Sequence, residues 1–432
     1  MKNKTFVHSI LCGLGMAFSS HSIYADTPPA TRSVSPCPGE FPIVALRVAN
    51  KEKGPQPGDM KYVKECGFNL CMEEATSDRI EKLLTYMEGS GLKLLPYSHS
   101  FGLDYKGDAW KPKMETFVNK FKNNPLIAGW DFGDEPKWDD LALFQQRYEY
   151  LKKLDDSHFI SYNLVGQMSK SFTGPCKDLS AYVDSIGERF NLDVWSSDIY
   201  PISIYKGKLS VNYKGFYENL RVFSKKSKET GIPMWSYCES MEYETGDVKF
   251  PAATVPYLSF AIFSALSYGA QGIVYWPYWL NPSTPKYNLI SALVDQEGNR
   301  SQAWYAAQKV NFQIRALTTV FLGAEMVEVR HTGMINMQGT YPYIRDFGPL
   351  EELSNDVKGV LVSHLKNGNH SYLVVLNHDV TNKQKVRMKF KKNMTITQLK
   401  VSDYGKLSIG KVKSNMNITL PAGGYAVFEY NK

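Results

Sequence analysis

The sequence has little with which to hold a metal. Its six cysteines, at positions 12, 37, 66, 71, 176 and 238, include no C-x-x-C pair, and its eight histidines include no H-x-x-x-H spacing. Such spacings are how metal sites show themselves in a sequence, so neither a metal nor another cofactor is expected. Were Cys12 to leave with an N-terminal leader, five cysteines would remain, an odd number that cannot all pair. Cys71 and Cys238 fall in apolar runs and read as buried thiols. Long apolar runs are missing as well. Residues 6–18 are mostly apolar, but too few and too broken by Ser and His for a bilayer span of about 20 residues. Basic charge is thin: the formal net charge is +7, Lys2 and Lys4 supply two units of it, and the remainder is scattered. That pattern is a solvated surface and excludes a nucleic-acid footprint.

At the N-terminus, Lys2 and Lys4 lead into the apolar stretch, and Ala25 precedes Asp26. Residues 1–25 therefore read as a secretory signal peptide. Leu11 is bulky where a lipid anchor at Cys12 would want a small residue, so the expectation is soluble export, periplasmic or extracellular.

Beyond it, strand-like and helix-like segments alternate. Short apolar or aromatic runs occur at 41–47, 68–72, 92–97, 126–132, 158–163, 193–198, 234–238 and 272–276, as expected of parallel strands buried on both faces. Between them lie amphipathic stretches. Asp78 opens one carrying Ile80, Leu83, Leu84 and Met87 on one stripe. Residues 139–154 repeat the pattern with Leu141, Leu143, Phe144, Tyr148 and Leu151. Residues 212–231 end in a Lys-rich turn and Gly231, which suits a helix C-terminus. Residues 257–269 are apolar nearly all round, so that helix needs a second cover. Eight such units predict an α/β fold, a (β/α)8 TIM barrel over 26–322. A doubly wound open sheet is the alternative, but no Gly-rich phosphate loop follows the first run. From 323 onward the texture becomes all-β, with strands predicted at 327–331, 359–364, 372–377, 385–390, 395–401 and 424–430 and a hairpin turn at Asn367-Gly368. A C-terminal antiparallel β-sandwich over 323–432 follows, joined without a Pro/Ser-rich linker.

Barrel active sites sit at the C-terminal ends of the strands. The fourth run ends in Gly133-Asp134-Glu135-Pro136 and the seventh at Glu239. Two carboxyls facing each other across one opening are what glycosidic hydrolysis needs, roughly 5–5.5 Å apart for retention and 6.5–9.5 Å for inversion. Each has a plainer reading: Glu135 as a cap for the helix after Pro136, Glu239 as one of several nearby acids with Glu242 and Glu244. Glu73 and Glu74 end the second run. Arg47, His99, Asp198 and Tyr200 stand at strand ends, each open to substrate contact or to a structural ion pair or hydrogen bond. Of the tryptophans near strand ends, Trp276 is the candidate for stacking on a sugar face, and Trp235 is expected to be buried.

The pair on strands four and seven resembles the large clan of retaining (β/α)8 glycosidases that includes β-galactosidases and many endo-glycanases. Ser197-Asp198-Ile199-Tyr200-Pro201, Tyr275-Trp276 and Leu420-Pro-Ala-Gly-Gly-Tyr-Ala-Val-Phe428 are similar to that clan as well. The resemblance implies Glu135 as acid/base, Glu239 as nucleophile and a carbohydrate substrate. One departure stands out: the clan's Asn before the acid/base is here Asp134, which cannot donate an amide hydrogen and which should raise the pKa of Glu135. An inactive carbohydrate-binding protein on this fold, or an inverting enzyme using Glu242 or Glu74, are the alternatives.

Overall fold

The computed structural model describes residues 35–101, 107–333, 340–355 and 358–431; the leader read over residues 1–25 lies outside them. Eight strands form one parallel sheet: β1 (Ile43–Leu46), β2 (Leu70–Glu73), β3 (Lys93–Pro96), β4 (Gly129–Asp134), β5 (Phe159–Val165), β6 (Trp195–Asp198), β7 (Met234–Glu239) and β8 (Gly272–Trp276). Each pairs with its sequence neighbour, β8 returns to β1, and the bridges Leu94–Ile127 and Tyr97–Asp131 close β3 onto β4. The result is a (β/α)8 barrel, as the apolar runs predict. Its helices are α1 (Asp59–Glu65), α2 (Ser77–Met87), α3 (Trp110–Phe121), α4 (Leu141–Leu154), α5 (Leu179–Arg189), α6 (Tyr213–Thr230), α7 (Val255–Ser267) and α8 (Gln302–Ala316).

Strand periodicity decides which side chains reach the barrel axis. Val44, Leu46, Leu70, Met72, Leu95, Tyr97, Phe159, Val194, Trp235, Tyr237 and Val274 form the interior cluster. Their sequence neighbours Ile43, Ala45, Cys71, Trp195, Cys238 and Ile273, and Trp130 on β4, pack outward against the helices. Both faces are therefore apolar, and Cys71 and Cys238 are buried thiols, as expected. Trp235 is buried too. On α2 the stripe Ile80, Leu83, Leu84 and Met87 is buried. On α4 Leu141, Tyr148 and Leu151 are buried, but Leu143 points to solvent and Arg147 takes the buried place instead. Asn212 caps α6 by accepting from the Gly215 amide, and Gly231 ends it at φ 69°.

Three loops at the mouth combine in a way the sequence does not announce. Strands Ile202–Tyr205 and Lys208–Val211 follow β6, Glu242–Thr245 and Val248–Phe250 follow β7, and Asn288–Ser291 follows β8. Together they make one five-stranded antiparallel sheet roofing that side of the opening.

The C-terminal part is a sandwich of a seven-stranded and a four-stranded sheet. It has eleven strands among the described residues where six are predicted; the additions are Thr340–Tyr341, Ile344–Phe347, Leu350–Asn355, Leu407–Lys411 and Asn415–Leu420. The predicted hairpin forms, but Asn367 pairs with His370, so Gly368-Asn369 makes the turn. Val360, Val362, Leu373, Val375 and Phe428 face the smaller sheet. Leu361, Leu365, Val374, Leu376 and Val427 on the opposite face belong to the cluster shared with the barrel helices. This is the second cover that α7 requires. Phe263 stacks on Tyr425 at 3.5 Å, Ser363 Oγ donates to the Ser267 carbonyl, and Tyr213 Oη donates to the His378 carbonyl. Barrel and sandwich accordingly form one compact unit among the described residues.

Candidate active site

The carboxyl groups at the barrel mouth arrive there by three routes. On β7, Glu239 shares the inward face of Trp235 and Tyr237 through the two-residue period. On β6, Asp198 continues the inward series from Val194 in the same way. On β4 simple alternation would turn Asp134 outward. A register shift between Asp131 and Asp134 corrects this, setting Asp134 opposite Asn163 of β5. Asn163 holds both members of the pair: its amide donates to Asp134 Oδ1 at 2.7 Å, and its carbonyl accepts from the Glu135 amide at 3.0 Å. Glu135 then leaves the strand at φ 38°, a left-handed conformation unusual for a residue with a side chain.

These placements bring Glu135, Asp198 and Glu239 into one electrostatic unit. The carboxyls of Glu135 and Asp198 come within hydrogen-bonding reach of each other. Two carboxyls make such a bond only with a proton between them. Burial raises the Glu135 carboxyl above the usual range, and the charge of Asp134 raises it further, the direction Asp134 leads one to expect. Asp198 is pushed well above its usual range, first by burial and then by Glu135 and Asp134. Glu239 is likewise raised, by burial first and by Asp198 second. Its Oε1, like Asp198 Oδ1, has no hydrogen-bond partner among the described residues. Asp134 is open to solvent, yet the protein packed round the mouth desolvates it enough to raise its carboxyl, against the pull of the Asn163 amide, Arg47 and His99.

The remaining predicted residues divide between cleft and scaffold. Tyr200 stacks on Trp276 with ring centroids 5.7 Å apart, and the edge of Tyr243 meets Trp276 at 5.8 Å. Trp276 is thus half-buried beside Glu239, its strand neighbour, with one face covered by Tyr200. His99 lies 3.6 Å from Glu74 and stacks on Tyr97. Arg47, at the end of β1, acts through space on Glu73, Glu74 and Asp134.

The spare acids are engaged elsewhere. Glu73 is buried, accepts from the Ala49 and Glu74 amides, and is pushed up to about 7 by burial. Glu242 pairs with Lys249 at 2.7 Å and accepts from Ser291, and Glu244 accepts from Asn288; both sit in the roof sheet. Asn163, Asp131, Tyr243 and Lys286 are missing from the sequence-derived set. Asn163 is visible in hindsight as an amide ending the fifth apolar run. Lys286, whose charge acts on Glu135, lies in a loop with no pattern to mark it. Among the described residues no group of three His, Cys, Asp or Glu is arranged to hold a metal ion, and no helix is long and apolar enough to cross a membrane.

The architecture is that of a TIM barrel with an appended C-terminal β-sandwich. No family model matches the chain, and a search of curated proteins finds no relative. Among solved structures it is similar to a family 39 glycoside hydrolase from the gut symbiont Bacteroides cellulosilyticus WH2. That likeness has a TM-score of 0.55 and 12% identity over 90% of this chain and 80% of the other. It is also similar to a catalytic mutant of a GH42 β-galactosidase from G. stearothermophilus, with a TM-score of 0.54 and 8% identity over 91% of this chain and 98% of the other. At these identities the likeness is one of fold.

Proposed function

We propose that this chain is an exported glycoside hydrolase that cleaves an oligo- or polysaccharide by retaining double displacement. One observation carries the reading: carboxyls from the ends of β4, β6 and β7 converge, with Asp198 acting on both Glu135 and Glu239. The two similarly folded enzymes are both glycoside hydrolases, which supports it. The leader-like residues 1–25 support export.

Glu239 attacks the anomeric carbon while Glu135 gives its proton to the departing glycosidic oxygen. Glu135, now a carboxylate, then takes a proton from the water that displaces Glu239 from the sugar. A raised pKa suits the first half of that cycle, since the acid must arrive protonated. Asp198 keeps a proton within reach of Glu135 and fixes its rotamer, and Asn163 fixes its backbone. Glu239 must be ionised to attack, and burial opposes this. Its unpartnered Oε1 faces that cost in the free enzyme, and the bond to the anomeric carbon relieves it.

The test is a pair of variants. Glu135→Gln and Glu239→Gln should each lower kcat by about 10²–10⁴-fold with the fold intact. A 2-fluoro glycoside should leave a covalent adduct on Glu239, found by mass spectrometry of the peptide. Full activity in either variant would reassign the roles, and an inverted product anomer by NMR would replace the nucleophile with a base.

A further inference from the structure

The mouth has two electrical poles. One is the acidic group already described. The other lies across the ends of β1, β2 and β3 and is basic. A recess of about 50 Å³ there is lined by Arg47, Asn50, Lys51, Glu73 and Asn281 among others. It shares Lys51, Glu74, Ala75 and Arg79 with a cleft of about 840 Å³ that continues to His99 and Lys113 on α3. Of the acids on this flank, Glu73 is spent on backbone amides and Glu74 on His99.

Arg47 stands out within it. Both its backbone groups are used, its amide on the Met72 carbonyl and its carbonyl by the Trp279 amide, and the residue is held at φ 61°. That region suits Gly or Asn and strains most other residues. Lys206 and Asn393 share the conformation, but in exposed surface turns. Here those two backbone hydrogen bonds keep an arginine at the rim of the opening, half-buried. Yet among the described residues the guanidinium has no hydrogen-bond or ion-pair partner, although its charge reaches Glu73, Glu74 and Asp134. A planar guanidinium of this kind is the side chain best matched to a carboxylate or sulfate, which it binds through two parallel N–H bonds.

We propose that this basic flank is the subsite for a negatively charged substituent on the glycan, with Arg47 as its principal ligand and Lys51 at its edge. The inference rests on the glycosidase reading and adds the substrate class: an acidic glycan, uronate-bearing or sulfated. Acids alone would repel such a substrate. With the basic flank present, the sugar lies across the mouth with its anionic group turned away from Glu135.

Isothermal titration of the Glu239→Gln protein tests this with three sets of oligosaccharides: uronate-bearing (oligogalacturonides, glucuronoxylan fragments), sulfated (sulfated galactan fragments) and neutral (galactan, xylan). An acidic set should bind at least tenfold more tightly than its neutral counterpart, and that preference should shrink between 50 and 300 mM salt. Arg47→Asn, which tolerates the left-handed backbone, should abolish the preference, and Lys51→Ser at an exposed position should weaken it. Whichever acidic set binds identifies carboxylate or sulfate. The proposal is overturned if neutral glycans bind as tightly as acidic ones, if no acidic set binds, or if Arg47→Asn weakens both kinds alike. Failure of the glycosidase reading looks different: the wild-type protein would then cleave no member of any set, whatever it binds.

Discussion

Two histidines buried where the barrel meets the sandwich should make the protein sensitive to mild acid. His331 Nε2 lies 2.8 Å from Tyr268 Oη, and its Nδ1 lies 3.2 Å from His378 Nε2. Both rings are enclosed, with Tyr213 and Tyr217 packed against them. Burial lowers His331 to about 3, and burial together with His331 lowers His378 well below the usual value. An unfolded histidine titrates near 6.5. The unfolded chain therefore takes up protons first, so the stability these rings confer is complete above pH 6.5 and is lost as the pH falls from there toward the folded values. Between pH 7 and pH 5 holding His331 neutral costs about 2 kcal/mol, a large part of a typical 5–15 kcal/mol, and His378 acts in the same direction. The carboxyls of buried Asp131 and of half-buried Asp198 and Glu239 act with the opposite sign, being raised. A difference measurement separates the two. His331→Gln keeps an acceptor for Tyr268 and removes one titrating ring. Urea unfolding followed by tryptophan fluorescence at pH 7 and pH 5 should show the variant losing about 2 kcal/mol less than the wild type on acidification. An equal loss in both proteins would refute the argument.

Other consequences follow from the mouth and from the domain contact. Asp134→Asn removes the second cause that raises Glu135, so the alkaline limb of the kcat/KM profile should move to lower pH; an unmoved limb would mean that burial alone sets it. Asn163→Ala removes the amide that holds the Asp134 side chain while keeping the backbone carbonyl that accepts from Glu135, and should lower kcat by about 10²-fold while KM changes less. Steady-state kinetics on any cleaved glycoside checks this. Gly423 sits at φ 58°, and a Cβ there would stand 2.0 Å from the Pro256 carbonyl oxygen of α7. Gly423→Ala should therefore destabilise the protein by about 3 kcal/mol, read as a fall in the urea midpoint.

How far the sequence reveals this molecule depends on which forces shape each part. The eight barrel strands are legible because burial on both faces demands short continuous apolar runs, and a charged residue ending such a run has few places to go but the rim. Glu135, Asp198 and Glu239 are found this way. What brings Asp134 inward is a register shift against β5, and what turns Arg47 and Glu135 is a left-handed backbone; both are set by pairing with residues distant in sequence and leave no local pattern. The roof strands are short, and most of their residues keep contact with solvent, so neither an apolar run nor clean alternation marks them. Leu407–Lys411 escapes notice as an exposed edge strand. Leu143 misleads in the other direction: its helical spacing is right, but Arg147 occupies the buried stripe, its guanidinium over the Trp110 ring.

The roof sheet also constrains how this scaffold can change. Its strands come from three successive crossovers stitched together by backbone hydrogen bonds, so lengthening one hairpin must disturb the pairing of the next. Evolution, or an engineer, would have to remodel that side as a single block. The opposite rim carries no such lacing among the described residues, and there side chains can be exchanged singly, which makes it the natural place to retune what the barrel accepts.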